Sequence, residues 1–149
     1  MKDLLADIKL RWYDESSLLT DDKRELIELF LDSIGVTSNV ARDLMEVMIN
    51  ARARDTALGA GQIKILIMEL RRRRKDKDPM WGLTDRNLQV WLKYFQTIRL
   101  LDTFGGSYRF TGNKKPSKAF KDYTLQVVRE SAAFSGRVLE KIDEAYALR

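Results

Sequence analysis

Residues 83–112 read LTDRNLQVWLKYFQTIRLLDTFGGSYRFTG. Thr84 has the chemistry of a helix N-cap, and Asp85 at the first helical position complements the positive end of the helix dipole. Leu83 before the cap and Leu88 at the fourth helical position have the spacing of a hydrophobic staple. Leu88, Trp91, Leu92, Phe95 and Ile98 or Arg99 then recur as one inward face, predicting a helix over 84–99. Gly105-Gly106 is a two-residue turn signal between segments of strand-favouring residues, so 99–112 is expected to fold as a β-hairpin. In its outgoing strand Tyr108 and Phe110 share one face, while Ser107, Arg109 and Thr111 share the other.

Working upstream, residues 62–74 form a helical pattern with Ile63, Leu66, Ile67 and Leu70 inward. Pro79 and Gly82 fall in the connection that follows. The segment DTALGAG (55–61) is a break with room for a very short strand. A helix starting near Ser38 is expected to bury Val40, Leu44, Val47, Met48 and Ala51. Before it, Thr20 is a candidate N-cap for a helix whose apolar face is Leu26, Leu29, Phe30 and Ile34, ended by Gly35. Leu4, Leu5, Ile8 and Trp12 predict a further short helix over 3–13. Downstream, Pro116 or Ser117 opens a last helix carrying Phe120, Tyr123, Val127, Phe134, Val138, Ile142 and Ala145. Gly136 is a candidate kink in it. The chain thus divides into an acidic helical extension (1–36), a central domain (37–112) and a C-terminal helix (113–149).

Charge follows the same division. Residues 1–36 carry a net −4, residues 37–121 a net +10 and residues 122–149 a net −1, within a total of +5. A central basic block between acidic ends suits a polyanion partner. With no Cys and no His, thiol chemistry, disulfides, the usual zinc ligands and the usual general base are excluded. Carboxylate pairs such as Asp21-Asp22 and Asp76/Asp78 fall at helix ends and turns, where solvation explains them. LGAGQ (58–62) lacks both the Walker lysine pattern and GxGxxG. The expectation is therefore a protein that is not an enzyme and takes no cofactor or metal. The start is too charged for a signal peptide and no apolar run reaches membrane-spanning length, so a cytoplasmic, nucleoid-associated location is expected. Few Asn and Gln, no Cys and many Arg suit a heat-loving source.

Helix, short strand or turn, helix, helix, hairpin is an order that resembles the winged helix-turn-helix DNA-binding superfamily, and prokaryotic regulators in particular, archaeal ones especially. The resemblance covers 38–112, about half the chain, and is most specific in the thirty residues quoted above. One departure is the connection from Lys75 to Leu83, longer than the turn of a tight helix-turn-helix. The resemblance implies a mainly α fold with a two-stranded β-wing, extra N-terminal helices and a long C-terminal helix. It implies a double-stranded DNA-binding protein, regulating transcription or replication, with the 84–99 helix in the major groove and the 100–111 hairpin as wing.

Off the apolar stripe of that helix lie Arg86, Asn87, Gln89, Val90, Lys93 and Gln96, whose chemistry suits base edges. Ser107 and Arg109 on the wing and Lys114 and Lys115 beyond it extend a track for phosphates. The block Arg71–Arg74 sits in the last turn of the preceding helix. There Arg71 and Arg74 are expected to lay their stems along the apolar edge with heads in water, while Arg72 and Arg73 face outward as non-specific phosphate contacts. Two other roles remain open for the chain: a winged helix used as a protein-interaction module in a replication, transcription or division complex, and a homodimer joined through the C-terminal helix, whose seam Ser131 and Lys141 interrupt.

Overall fold

Six α-helices and one hairpin make up the computed structural model, which describes residues 2–149. After a 3₁₀ turn at Glu15–Leu19 come α1 (Lys23–Ser33), α2 (Asn39–Ala53), α3 (Ala60–Arg73) and α4 (Asp85–Thr97). Strands β1 (Leu101–Phe104) and β2 (Ser107–Phe110) follow, then a single turn α5 (Pro116–Ala119) and α6 (Leu125–Ala145). The fold is mainly helical with one small antiparallel sheet. An isolated antiparallel bridge between Leu58 and Tyr108 adds one residue of the 55–61 break to the outer edge of β2.

Local chemistry sets the helix starts. Ser38 accepts from the amide of Ala41, and Thr84 accepts from that of Asn87, each satisfying an otherwise unpaired N–H of a first turn. Gln62 Oε1 accepts from the amide of Gly59 at the start of α3. Asp22, not Thr20, caps α1: its side chain accepts from Glu25, while the Thr20 hydroxyl reaches the Glu25 carboxylate. Gly35, at φ +73°, turns the chain out of α1 in the left-handed region that glycine adopts without strain.

One apolar core gathers Ile27 and Leu31 of α1, Val40, Leu44, Val47 and Met48 of α2, and Ile63 and Ile67 of α3. Leu88, Leu92 and Phe95 of α4, Leu101 and Phe110 of the hairpin, and Ala119 of α5 close it. The staple pair Leu83 and Leu88 is fully buried, as its spacing implied. In α1 Phe30 and Ile34 face the core as expected, but Leu26 is exposed and the face is widened instead by Ile27 and Leu31.

Two expected features of the ends are absent. Residues 3–13 form no helix. They run as an irregular strap, joined to α1 by a bond from the Arg11 amide to the Ser33 carbonyl, with Ile8 packed on the core and the Lys9 stem against Gly35. Leu4, Leu5 and Trp12 of the expected stripe stay exposed, so an amphipathic pattern without caps did not secure a helix so short. Nor does Gly136 kink the last helix. α6 runs through it, and the irregularity lies earlier, in a π-helical turn at Phe120–Thr124. The π turn joins α5 to α6 while Phe120 packs edge-on against Phe30 at 6.4 Å between ring centroids.

Candidate nucleic-acid interface

The approach to α4 is held by charge inside the protein. Asp43, on α2, has no solvent-accessible surface, and Arg71, at the end of α3, is only 3% exposed. Arg71 Nε donates to Asp43 Oδ2 at 2.8 Å, and its Nη1 donates to the carbonyls of Pro79 (3.1 Å) and Trp81 (2.8 Å). Arg71 therefore ties the long 75–83 connection to the helical core. Arg24 and Arg74 reach the other side of the same carboxylate, each at 3.0 Å. Burial opposes the charge on Asp43, but hydrogen bonds from Arg74 and Arg71 and the charges of Arg24 and Arg74 outweigh it and lower its pKa. Asp76, and then Asp43, hold Arg74 even more firmly protonated than usual. The expectation that Arg71 keeps its head in water is thus corrected, because Arg71 is enclosed; Arg74 stays exposed but is shared between two carboxylates. Only Arg72 and Arg73 of the block are exposed and unpaired among the described residues.

With its start fixed by Thr84 and by an ion pair from Asp85 to Lys64 of α3 at 2.8 Å, α4 presents its polar face outward. Arg86, Gln89, Val90 and Lys93 lie on that face at i, i+3, i+4 and i+7, all exposed. Among the described residues the side chains of Arg86, Gln89 and Lys93 form no hydrogen bond or ion pair. Val90, 53% exposed, sits between them as an apolar contact point. Asn87 differs: its Nδ2 donates to the Gly82 carbonyl at 2.8 Å, so its amide already braces the entry to the helix. Gln96 is half-buried and lines a shallow hollow of about 290 Å³ with Arg99, Asp102, Thr111 and Tyr123.

The hairpin carries less free charge than its sequence suggested. Arg109 stands opposite Asp102 across the ladder and donates to it at 2.9 Å, with its guanidinium 4.7 Å from the centre of the Phe104 ring. The other oxygen of Asp102 accepts from the Gly112 amide at 3.1 Å. The apex instead shows an exposed aromatic, Phe104, at 68%. Ser107 is half-buried beside it. Lys114 is likewise engaged. It pairs with Asp122, which raises its pKa and lowers that of Asp122, and it lies over the Tyr123 ring at 5.0 Å. Lys118 joins the same carboxylate at 3.2 Å. Of that group Lys115 alone stays exposed and, among the described residues, unpaired.

The residues that sequence reading missed are the acids, Asp43, Asp102 and Asp122, that consume these cations. Among the described residues no His, Cys, Asp or Glu cluster could hold a metal ion, and no helix is long and apolar enough to cross a membrane. No protein-family model, curated protein or solved structure matches this chain.

Proposed function

We propose that this chain is a winged-helix protein that binds double-stranded DNA as a regulator, with α4 entering the major groove. The order α2, Leu58 bridge, α3, α4, β1, β2 supports the winged-helix reading, as does the pairing order Leu58–β2–β1. One observation carries the DNA reading: the outward stripe Arg86–Gln89–Val90–Lys93 stands on a capped, stapled helix and, among the described residues, its polar groups are unspent. Arg forks onto guanine, Gln pairs with adenine in two-point contacts, and an apolar side chain meets the thymine methyl. Lys115, together with Arg72 and Arg73 at the end of α3, would supply phosphate contacts. The hairpin contributes through its backbone and Phe104 more than through Arg109, whose charge is matched within the protein.

The test is selection of bound duplexes from a random pool, followed by titration of the winning duplex at several salt concentrations. Affinity that falls steeply with salt, and weakens when Arg86 and Lys93 are replaced by alanine, supports the reading. A folded sample that binds no duplex at low salt would overturn it. The internally neutralised hairpin and the exposed Phe104 favour a second reading, a protein-interaction module; that reading gains if the hairpin is needed for partner capture while Arg86 and Lys93 are dispensable.

A further inference from the structure

The second half of α6 leaves the body of the protein and is exposed along its whole length, with Phe134 at 62%, Val138 and Ile142 open along one side and Leu139 open on the next. So large an apolar stripe on a projecting helix is costly in water unless it is covered. At its inner end a groove of about 530 Å³ lies between α6 and the N-terminal strap, lined by Leu4, Leu5, Val127, Ser131 and Phe134.

We infer that the occupant is a second copy of this chain, whose α6 lies antiparallel to the first. The charges beside the stripe select that arrangement. With Ser131, Phe134, Val138, Lys141 and Ala145 as the heptad seam, Ile142 borders it on one side, Leu139 lies outside it, and Glu130, Arg137 and Glu144 fall on the other flank, seven residues apart. Sliding two antiparallel copies so that Val138 faces the partner's Lys141 and Phe134 faces the partner's Ala145 sets Arg137 against the partner's Glu144, twice by symmetry. Among the described residues Arg137, Glu130 and Glu144 form no ion pair; Arg137 merely lies over the Phe134 ring at 6.0 Å. Lys141 covers the seam with its stem while its ammonium leaves toward the flanking glutamates, a polar residue that fixes register at some loss of stability. In the same register the partner's residues beyond Ala145, with Tyr146 and Leu148 both exposed in the lone chain, arrive at the groove beside Leu4 and Leu5. A parallel pair would instead set Arg137 beside the partner's Ile142 and lose the complementarity.

The experiment measures mass by sedimentation equilibrium of the full chain without nucleic acid, so its outcome is independent of DNA binding. The wild type is expected at twice 17.3 kDa at tens of micromolar. R137E and E144R are each expected to weaken association at least tenfold, and the double variant R137E/E144R to restore it, with unchanged helical circular dichroism throughout. A monomeric wild type at about 100 µM overturns the proposal. Single variants that stay dimeric, or a double variant that is no tighter than the singles, overturn the antiparallel register.

Discussion

Arg71 and Asp43 meet at 2.8 Å inside the protein, twenty-eight positions apart in the chain and both closed to water. A buried ion pair of this kind adds little net stability against an apolar replacement, yet losing one partner leaves a stranded charge. Asp43→Ala strands Arg71 with only two carbonyl acceptors and deprives Arg24 and Arg74 of their shared anion. It is expected to cost about 3–5 kcal/mol in urea denaturation. Arg72→Ala and Arg73→Ala, in the same block but exposed, are expected to stay within about 0.5 kcal/mol of wild type. Equal losses for all three would contradict the division of the block into enclosed and free arginines.

Acid should act through the same carboxylate. The pKa of folded Asp43 is depressed, so its contribution is fully present above the unfolded aspartate value of about 3.9 and is lost as pH falls through the lower folded value. Asp76 and Asp122, depressed mainly by hydrogen bonds from Arg74 and Lys114 respectively, act in the same direction from the surface. Denaturation midpoints measured between pH 6 and pH 2 should therefore fall below about pH 4. In Asp43→Asn the starting stability should be lower and the acid decline shallower. A variant with the wild-type acid slope would remove Asp43 from this role.

Much of this was legible in the chain itself. The Thr84 cap, the Leu83/Leu88 staple and the Gly105-Gly106 turn are local signals, and each element formed where they stand. The pairing of Arg109 was also encoded: a two-residue turn at 105–106 fixes the register and puts Asp102 opposite it. Asp43 announced itself more quietly, as a charge three residues after Val40 and four before Val47 on the buried face of a helix. Its arginine partners come from two other helices, α1 and α3, and the α3 cap, and no periodicity within one segment reports such a meeting. The strap over 3–13 departs from its sequence pattern for the opposite reason. Its pattern is helical, but its conformation is set by contacts with α1 and Gly35 that lie outside the segment.

On the proposed DNA-binding reading, Thr84 and Asn87 should separate stability from recognition at the start of α4. Thr84→Ala removes the acceptor for the Asn87 amide and is expected to cost about 1 kcal/mol. Asn87→Ala loses the bond to the Gly82 carbonyl, an exposed contact worth about 0.5–1.5 kcal/mol, and should leave duplex preference unchanged. Arg86→Ala should do the reverse, with unaltered unfolding but a loss of about 1–3 kcal/mol in binding and relaxed selectivity at one base pair. A selection experiment in which Asn87→Ala shifts the preferred base would assign that amide to DNA.

The pair Asp102–Arg109 makes the sharpest statement about the hairpin. If the chain binds DNA as proposed and the arginine stays with its aspartate in the complex, Arg109→Ala should leave the salt dependence of affinity almost unaltered. Asp102→Asn keeps an acceptor for the Gly112 amide but releases the charge of Arg109, and the log–log salt slope should then steepen by about 0.9, one further phosphate neutralised. Both side chains are partly exposed, so the stability cost of either change should be about 0–1 kcal/mol. A loss of about 0.9 in slope from Arg109→Ala alone would mean that the arginine leaves Asp102 for a phosphate on binding. The hairpin would then join α4 as a charged arm of the interface, and Asp102 would serve as its resting partner.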